Sequence, residues 1–279
     1  PNKDYSPLDF PIVGDMLSKQ SMIPVEILSG LDVFNLYYLW LMVVFISGIA
    51  YIGYILMKTI GAERGILITG FLGGFMSSTA LTSSFSIESK EYKSLSWPLA
   101  VGVVIASSVM FFRMLFEVMV LNPELFFGIF FSLGLMGSIG IILAIYLFFR
   151  KDKNSKRVKN MEIDSPFSLK PALKFAGLFM AVLFVTKLLT LIFGNSGIYL
   201  ISFISGITDV DAITISLSKL ALEGSISNSA AQFGMIIAAF ANTFFKAGIA
   251  YFLGSKKFFR VVLLAFSFIV FIGGFSLIV

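Results

Sequence analysis

Cysteine and histidine are both absent from this 279-residue sequence, and charged residues are scarce. The missing side chains exclude disulfides, thiolate or imidazole metal ligands and histidine acid–base chemistry. Charged residues make up 13% of the chain, about half of the ~25% that is usual in a soluble domain. Hydrophobic residues make up 57%, and Phe alone fills 32 positions. With a mean hydropathy of +0.93, this is the composition of an integral membrane protein.

Long apolar runs define the segments that are predicted to cross the membrane. A spanning helix needs about 20 apolar residues, and six runs qualify: 35–58, 97–120, 124–149, 170–193, 230–253 and 257–279. Residues 1–34 begin without Met and are predicted to be an N-terminal extramembrane segment or linker after a missing upstream domain. G-x-S-x-G and H-E-x-x-H patterns are absent, so we predict that the protein is not an enzyme.

Two further segments, 65–86 and 197–218, are apolar for about half their length and then become polar. They align with each other without a gap. The alignment pairs Phe71, Gly74, Ala80, Thr82, Ser84 and Ser86 with Phe203, Gly206, Ala212, Thr214, Ser216 and Ser218. In a register one position longer, Phe111-Phe112-Arg113 matches Phe244-Phe245-Lys246. We interpret the pattern as an internal duplication, with membrane repeat 1 at 35–149 and membrane repeat 2 at 167–279.

The basic loops predict how these segments are arranged in the membrane. The loop 150–166 and the loop 254–260 are both rich in Lys and Arg, so both are expected in the cytoplasm. An even number of crossings must then separate them, which makes 197–218 a re-entrant hairpin, and the basic flanks of 65–86 give the same result. The predicted fold is an all-α membrane protein with an inverted repeat, six spanning helices and two re-entrant hairpins. The alternative is eight spanning helices.

The polar residues of the two hairpins are the candidate binding groups. The first hairpin carries Ser77, Thr79 and Thr82, and the second carries Asp209, Asp211 and Thr214. One interpretation is that these side chains only cap buried half-helices. Carboxylates in a membrane interior are costly, however, so the two aspartates are predicted to meet a bound cation, a proton, or a buried Lys or Arg. As metal ligands, Asp209 and Asp211 would suit a hard cation.

Basic residues inside the apolar spans supply the possible counter-charges. They are Arg113, Lys187 and Lys246, and Glu117 lies one helical turn after Arg113, the spacing of an ion pair within one helix. Lys246 shares a helix face with Asn242, although it could instead extend towards the nearby loop 254–260.

These groups predict an ion transporter or channel-like permease with a cation site near the midplane of the membrane. The aspartates would be its charged ligands, Ser77, Thr79, Thr82, Thr214 and Asn242 would add neutral oxygens, and Lys246 would be the counter-charge. An alternative is a cation-coupled anion permease that uses Arg113 and Lys246. A third is a membrane regulator or assembly partner that transports nothing. The expected partners are the lipid bilayer and a small inorganic ion or anion (Mg²⁺, Na⁺ or a coupling proton among the cations), without nucleic acid; a homo-oligomer stays open.

Several motifs resemble the prokaryotic MgtC/SapB family of membrane proteins, and more narrowly the C-terminal domain of unknown function of its longer members. They are GAERGILITGFLGGFMSSTALTSSFS, VMFFRMLFEVMVLNPEL, ISGITDVDAITISLSKLA and AAFANTFFKAGIAYFLG, and the resemblance runs from about Leu36 to the end. It implies a multi-pass protein of the prokaryotic inner membrane in which Asp209, Asp211, Asn242 and Lys246 are important. The magnesium in the family name belongs to a helical block that precedes this domain, so the resemblance names no substrate.

Overall fold

The computed structural model describes residues 66–150 and 192–276, with single positions or short stretches at 44, 51, 55, 181, 184–186 and 188–190. Within 66–150 and 192–276 the regular structure is entirely helical. The helices are α1 (Ile66–Glu91), α2 (Ser96–Leu121), α3 (Pro123–Phe149), α4 (Asn195–Thr208), α5 (Val210–Leu222), α6 (Asn228–Leu253) and α7 (Lys256–Phe275), and a 3-10 turn (Lys93–Leu95) precedes α2. The predicted segment 1–34, the loop 151–166 and Lys187 lie outside the described residues, as does most of the predicted spans 35–58 and 170–193.

Four helical segments are long and apolar enough to cross a membrane. They are Lys93–Leu121, Pro123–Phe149, Asn228–Leu253 and Lys256–Phe275, with 29, 27, 26 and 20 residues. They correspond to four of the six spans expected from the sequence, with ends that differ by no more than about one helical turn. The prediction of an all-helical fold is therefore confirmed for the described part of the chain, and its four long apolar helices are consistent with a membrane protein. Side chains such as Phe127 and Phe271 point outwards, as expected for contact with lipid.

Helix α1 is broken at Ser77, whose φ of −163° and ψ of 104° are extended, not helical. The break divides α1 into arms 66–76 and 78–91. A Cβ atom on Gly73 would lie 3.1 Å from a methyl group of Leu81, although a straight helix would separate these two positions by about 12 Å. The two arms therefore bend sharply towards each other.

A second break separates α4 from α5 and has nearly the same backbone geometry. Asp209 lies between the two helices with φ −161° and ψ 123°. The helices have 14 and 13 residues, or about 20 Å each. Because the hydrocarbon core of a bilayer is about 30 Å thick, neither helix could cross it alone.

Glycines allow the first arm of α1 to lie directly against α2. A Cβ atom on Gly70 would come within 2.5 Å of the Gly102 carbonyl oxygen, and one on Gly74 within 2.8 Å of the Ala106 carbonyl oxygen. One turn along the first arm thus corresponds to one turn along α2 in the same direction. The first arm therefore runs parallel to the first half of α2.

Helix α4 packs on α6 in the same way. A Cβ atom on Gly206 would lie 2.5 Å from the Ala238 carbonyl oxygen, and one on Gly234 would lie 2.8 Å from the Ser202 hydroxyl. The contact partners again advance by one turn in the same direction on both helices. Helix α4 therefore runs parallel to the first half of α6.

The second arm of α1 returns to the end of the bundle at which α2 begins. Ser89 in that arm accepts a hydrogen bond from the Ser255 backbone N–H at 3.0 Å, and the hydroxyls of Ser96 and Ser255 lie 2.7 Å apart. Ser96 opens α2 and Ser255 lies in the loop between α6 and α7. The start of the first arm and the end of the second arm of α1 therefore both lie at the end of the bundle where α2 begins.

Helix α5 runs to the opposite end of the bundle. The Asn122 side chain, in the connection between α2 and α3, donates to the Ser218 carbonyl oxygen at 3.4 Å. Helix α6 also begins at this end, and α4 runs parallel to it. The start of α4 and the end of α5 therefore lie at the same end of the bundle. Helix α2 lies between these groups and packs against α1, α3, α5 and α7.

Candidate functional site

Asp209 caps the N-terminus of α5. Its Oδ1 accepts a hydrogen bond from the Asp211 backbone N–H at 2.8 Å, and its extended backbone is typical of an N-cap residue. The side chain is half-buried. The capping role that the sequence offered for this residue is therefore present in the structure, and a role as a metal ligand stays a prediction.

Asp211 pairs with Arg113 of α2. Its Oδ2 lies 2.5 Å from Arg113 Nη2, and the residue is 5% exposed. Its Oδ1 is buried and accepts no hydrogen bond from the described residues. Of the described basic side chains considered as partners for the aspartates, Arg113 is the one at contact distance.

The same guanidinium group also reaches the break in α1. Arg113 Nη1 donates to the Phe75 carbonyl oxygen at 2.8 Å and lies 3.5 Å from those of Gly74 and Met76. These carbonyls end the first arm of α1, where helical partners are lacking and the helix dipole is negative. One side chain thus connects the two broken segments.

Glu117 completes the charged cluster around Arg113. Its Oε1 lies 3.7 Å from Arg113 Nε, so the ion pair expected from the i, i+4 spacing is present. The side chain is 0% exposed, and neither carboxylate oxygen accepts a hydrogen bond from the described part of the chain. The residue was not among the predicted binding groups, although a glutamate inside an apolar span was the signal that could have identified it.

Asn242 of α6 lies at the end of α4. Its Nδ2 donates to the Gly206 carbonyl oxygen at 2.8 Å, while its Oδ1 is buried and lacks a partner among the described residues. The amide therefore offers an acceptor close to the second break, and a role of Asn242 in binding a cation stays a prediction.

Lys246 of α6 is fully buried and points at α2. Its Nζ lies 3.4 Å from the Ser107 hydroxyl and 3.1 Å from the Met110 sulfur. It does not extend towards the loop 254–260, and it forms no ion pair with any described residue. Its predicted action as a counter-charge to the aspartates would therefore have to occur without direct contact.

The hydroxyl groups of the two broken segments differ in their partners. Ser77 accepts from the Ala80 N–H at 3.2 Å, and Thr82 donates to the Ser78 carbonyl oxygen at 2.7 Å. Thr214 is fully buried and its hydroxyl has no partner among the described residues. Thr79 is half-buried in the first turn after Ser77. Among these hydroxyl groups, the buried one without a hydrogen-bond partner is thus in the second broken segment.

Three buried or half-buried carboxylates and two buried basic groups belong to this region: Asp209, Asp211 and Glu117 against Arg113 and Lys246. When all are ionised, one negative charge remains. No group of three or more Asp and Glu residues positioned to hold a metal ion occurs within the described ranges.

Comparison with known proteins identifies a family and one relative. Residues 44–254 match the family model described as "Domain of unknown function (DUF4010)". An uncharacterized protein of Aquifex aeolicus (strain VF5) is 34% identical over 192 residues, which is 69% of this chain and 84% of that protein. No solved structure matches the chain significantly. The narrower part of the predicted resemblance, to a domain of unknown function, is confirmed, and the wider MgtC/SapB resemblance stays a prediction.

Proposed function

The chain belongs to the family described as domain of unknown function DUF4010, and we propose that it transports a small monovalent cation across the membrane. In this proposal 66–91 and 195–222 are re-entrant hairpins of an inverted repeat. Their breaks lie next to a cation site made by oxygen atoms of Asp211, Thr214 and Asn242.

The backbone supports the hairpin part of the proposal. Ser77 and Asp209 occupy the same position in the alignment that pairs Gly74 with Gly206, and both have extended backbones between helical arms. Each first arm lies parallel to the first half of a later helix, and the two pairs are associated with opposite ends of the bundle. Broken helices that enter from opposite sides and meet midway are typical of secondary transporters.

The cation site depends on one observation, which is the set of buried oxygen atoms that have no donor. Asp211 Oδ1, both oxygens of Glu117 and Asn242 Oδ1 are all acceptors without a partner among the described residues. Leaving such atoms unsatisfied costs about 1–3 kcal/mol each, and more for charged groups. A cation would satisfy several of them at once.

Charge favours a monovalent cation. When all five groups are ionised, the three carboxylates and two basic groups leave one negative charge, and uncompensated charge is expensive in a low-dielectric interior. Na⁺ or K⁺ would neutralise the site, whereas Mg²⁺ would leave it positive and would also retain several of its water ligands.

One observation favours the anion permease as a second candidate. Among the described residues, the Lys246 ammonium has a hydroxyl and a thioether as its hydrogen-bond partners and forms no ion pair, so a bound anion would find an unpaired positive charge. Against this candidate, Arg113 is already bound to Asp211 and to the Phe75 carbonyl oxygen, and it offers little to an anion.

Ligand-dependent stability tests the function. Purified protein would be heated with chlorides of Na⁺, K⁺, Mg²⁺, Ca²⁺ and Mn²⁺ and with sodium phosphate and sulfate, beside the Asp211→Asn variant. A ligand at 100 times its dissociation constant stabilises the native state by about 2.7 kcal/mol. We expect a shift with Na⁺ or K⁺ that is lost in the variant, followed by uptake of the same ion into liposomes. Stabilisation by an anion in both proteins would favour the permease, and no shift with any ion would favour the non-transporting regulator.

Cysteine labelling tests the topology, because the chain has no natural cysteine. Ser196, Leu222 and Lys256 are exposed; each would be changed to Cys and treated with a membrane-impermeant thiol reagent in intact cells. The hairpin arrangement requires the first two positions to be on one side and Lys256 on the other. Ser196 and Leu222 on opposite sides would instead mean that 195–222 crosses the membrane.

Location in the prokaryotic inner membrane and a homo-oligomeric state stay predictions.

A further inference from the structure

We infer that Arg113 is a built-in competitor of the transported cation. In the cation-free state its guanidinium group occupies Asp211, and an arriving cation displaces it onto Glu117. This inference rests on the proposed cation transport and adds to it the step by which the site is emptied and filled.

Two carboxylates from different helices face this one guanidinium group. Asp211, at the start of α5, has the short contact of 2.5 Å to Nη2, and Glu117, one turn along α2, has the longer contact of 3.7 Å to Nε. Charge-assisted hydrogen bonds are about 2.7–2.9 Å long. Glu117 is thus about 1 Å beyond bonding range, so a small rotation of Arg113 would exchange one carboxylate for the other.

The unused atoms identify Glu117 as the alternative partner. Its side chain is 0% exposed, and neither oxygen accepts a hydrogen bond from the residues that the structure describes. A buried carboxylate without donors is unfavourable in a static structure. A donor that reaches Glu117 in the cation-bound state would satisfy it. Arg113 Nε is buried, has no hydrogen-bond partner among the described residues and lies 3.7 Å from Glu117 Oε1.

The exchange keeps Asp211 next to a positive charge in both states. Without a cation, Arg113 neutralises Asp211, and when a monovalent cation takes its place Arg113 neutralises Glu117. Neither state then exposes a bare Asp211 to the membrane interior. Because Nη1 also holds the Phe75 carbonyl oxygen, the displacement would loosen the end of the first arm of α1 and so connect cation binding to the first hairpin.

A double-mutant cycle tests this exchange. Thermal unfolding would be titrated with NaCl and with KCl, at an ionic strength held constant with choline chloride. The proteins are the wild type, Arg113→Gln, Glu117→Gln and the double variant, with Glu124→Gln at the exposed start of α3 as the control. Arg113→Gln removes the competitor and should raise the cation affinity about tenfold. Glu117→Gln removes the alternative partner of Arg113 and should lower the cation affinity about tenfold. In the Arg113→Gln background, Glu117→Gln should change nothing.

The other outcomes separate the two proposals. Unchanged or weaker cation binding in Arg113→Gln, or a Glu117→Gln loss that persists in the double variant, would overturn the exchange but not cation binding. No response to either cation in any of the proteins would overturn the proposed function and the exchange with it. If Arg113→Gln does not fold, Arg113→Lys replaces it, since an ammonium cannot bind Asp211 and Phe75 through separate nitrogens. A rise of severalfold is then expected, and a fall would overturn the exchange.

Discussion

The two broken segments have nearly the same backbone geometry at the break but carry different side chains. Ser77 and Asp209 have φ values of −163° and −161°, and each caps the helical arm that follows it. Two positions further on, the first segment has Thr79 and the second has Asp211, which binds Arg113. The geometry of a break therefore needs only a capping oxygen, and the extra carboxylate of the second segment needs a separate explanation.

The helices that support the two segments show the same contrast. Gly74 and Gly206 contact Ala106 and Ala238, which are themselves aligned in the register that pairs the two glycines. Asn242 binds the end of α4, and the position aligned with it in the first half is occupied by Met110. The contacts that build the scaffold are thus common to both halves, and the polar groups that could bind an ion are concentrated in the second half. Mutations of the polar groups are therefore expected to have different effects in the two segments, and mutations of the scaffold contacts are expected to have similar effects.

The largest difference is expected between Asp211→Ala and Thr79→Ala. Removing Asp211 leaves the buried Arg113 charge without its closest partner, and such changes cost about 3–5 kcal/mol. We expect about 3 kcal/mol, because Glu117 can take over part of the pairing. Thr79 is half-buried and caps nothing, so its replacement should cost under about 0.5 kcal/mol. Thermal unfolding in detergent, followed by intrinsic Trp fluorescence, measures both variants, and equal losses would contradict the asymmetry.

A smaller and symmetric effect is expected for Gly74→Ala and Gly206→Ala. Each new methyl group would meet the backbone of a neighbouring helix, at 2.8 Å and 2.5 Å from a carbonyl oxygen. Overpacking of this kind costs about 1–3 kcal/mol, and the same melting measurement applies. The matched control is Gly248→Ala in α6, where a Cβ atom would have no neighbour within 4 Å and helix propensity alone should stabilise by up to about 1 kcal/mol. A tolerated Gly206→Ala would mean that α4 does not lie against α6 as described.

The smallest effect is expected from exchanging the two caps. Ser77→Ala and Asp209→Ala should each cost about 1 kcal/mol, because both remove the acceptor of an N-cap hydrogen bond. Asp209→Ser should cost only a few tenths of a kcal/mol, since Ser caps about as well as Asp. Chemical denaturation of the purified variants can resolve these differences. A large loss in Asp209→Ser would show that this carboxylate does more than cap α5.

The sequence predicted much of the fold because the relevant signals are local. Long apolar runs predicted the four candidate spans to within about one helical turn at each end, since length and hydropathy alone decide whether a helix can cross a bilayer. The polar stretches around Ser77 and Asp209 indicated where helices break, because residues that bind their own backbone favour helix ends. The alignment of the two segments also anticipated that both would break at corresponding positions.

The site was predicted less completely. The sequence indicated that Asp209 and Asp211 required a positive partner or a cap, but it could not assign one function to each residue. The capping of α5 by Asp209 is a contact between near neighbours in the chain, and the i, i+4 pair of Arg113 and Glu117 is also local. In contrast, Asp211 meets Arg113 across 98 residues of chain, and Lys246 meets Met110 across 136.

The sequence by itself therefore determined the four helices that are long and apolar enough to cross a membrane and the two breaks, since each depends on a few consecutive residues. Only the tertiary structure decided which charges meet. Helix α2 lies between both broken segments, and this position brings one guanidinium group to Phe75 and Asp211 while Glu117 stays buried beside it. Pairing of that kind depends on how helices pack, because ion pairs form only between groups that the fold brings within a few ångströms.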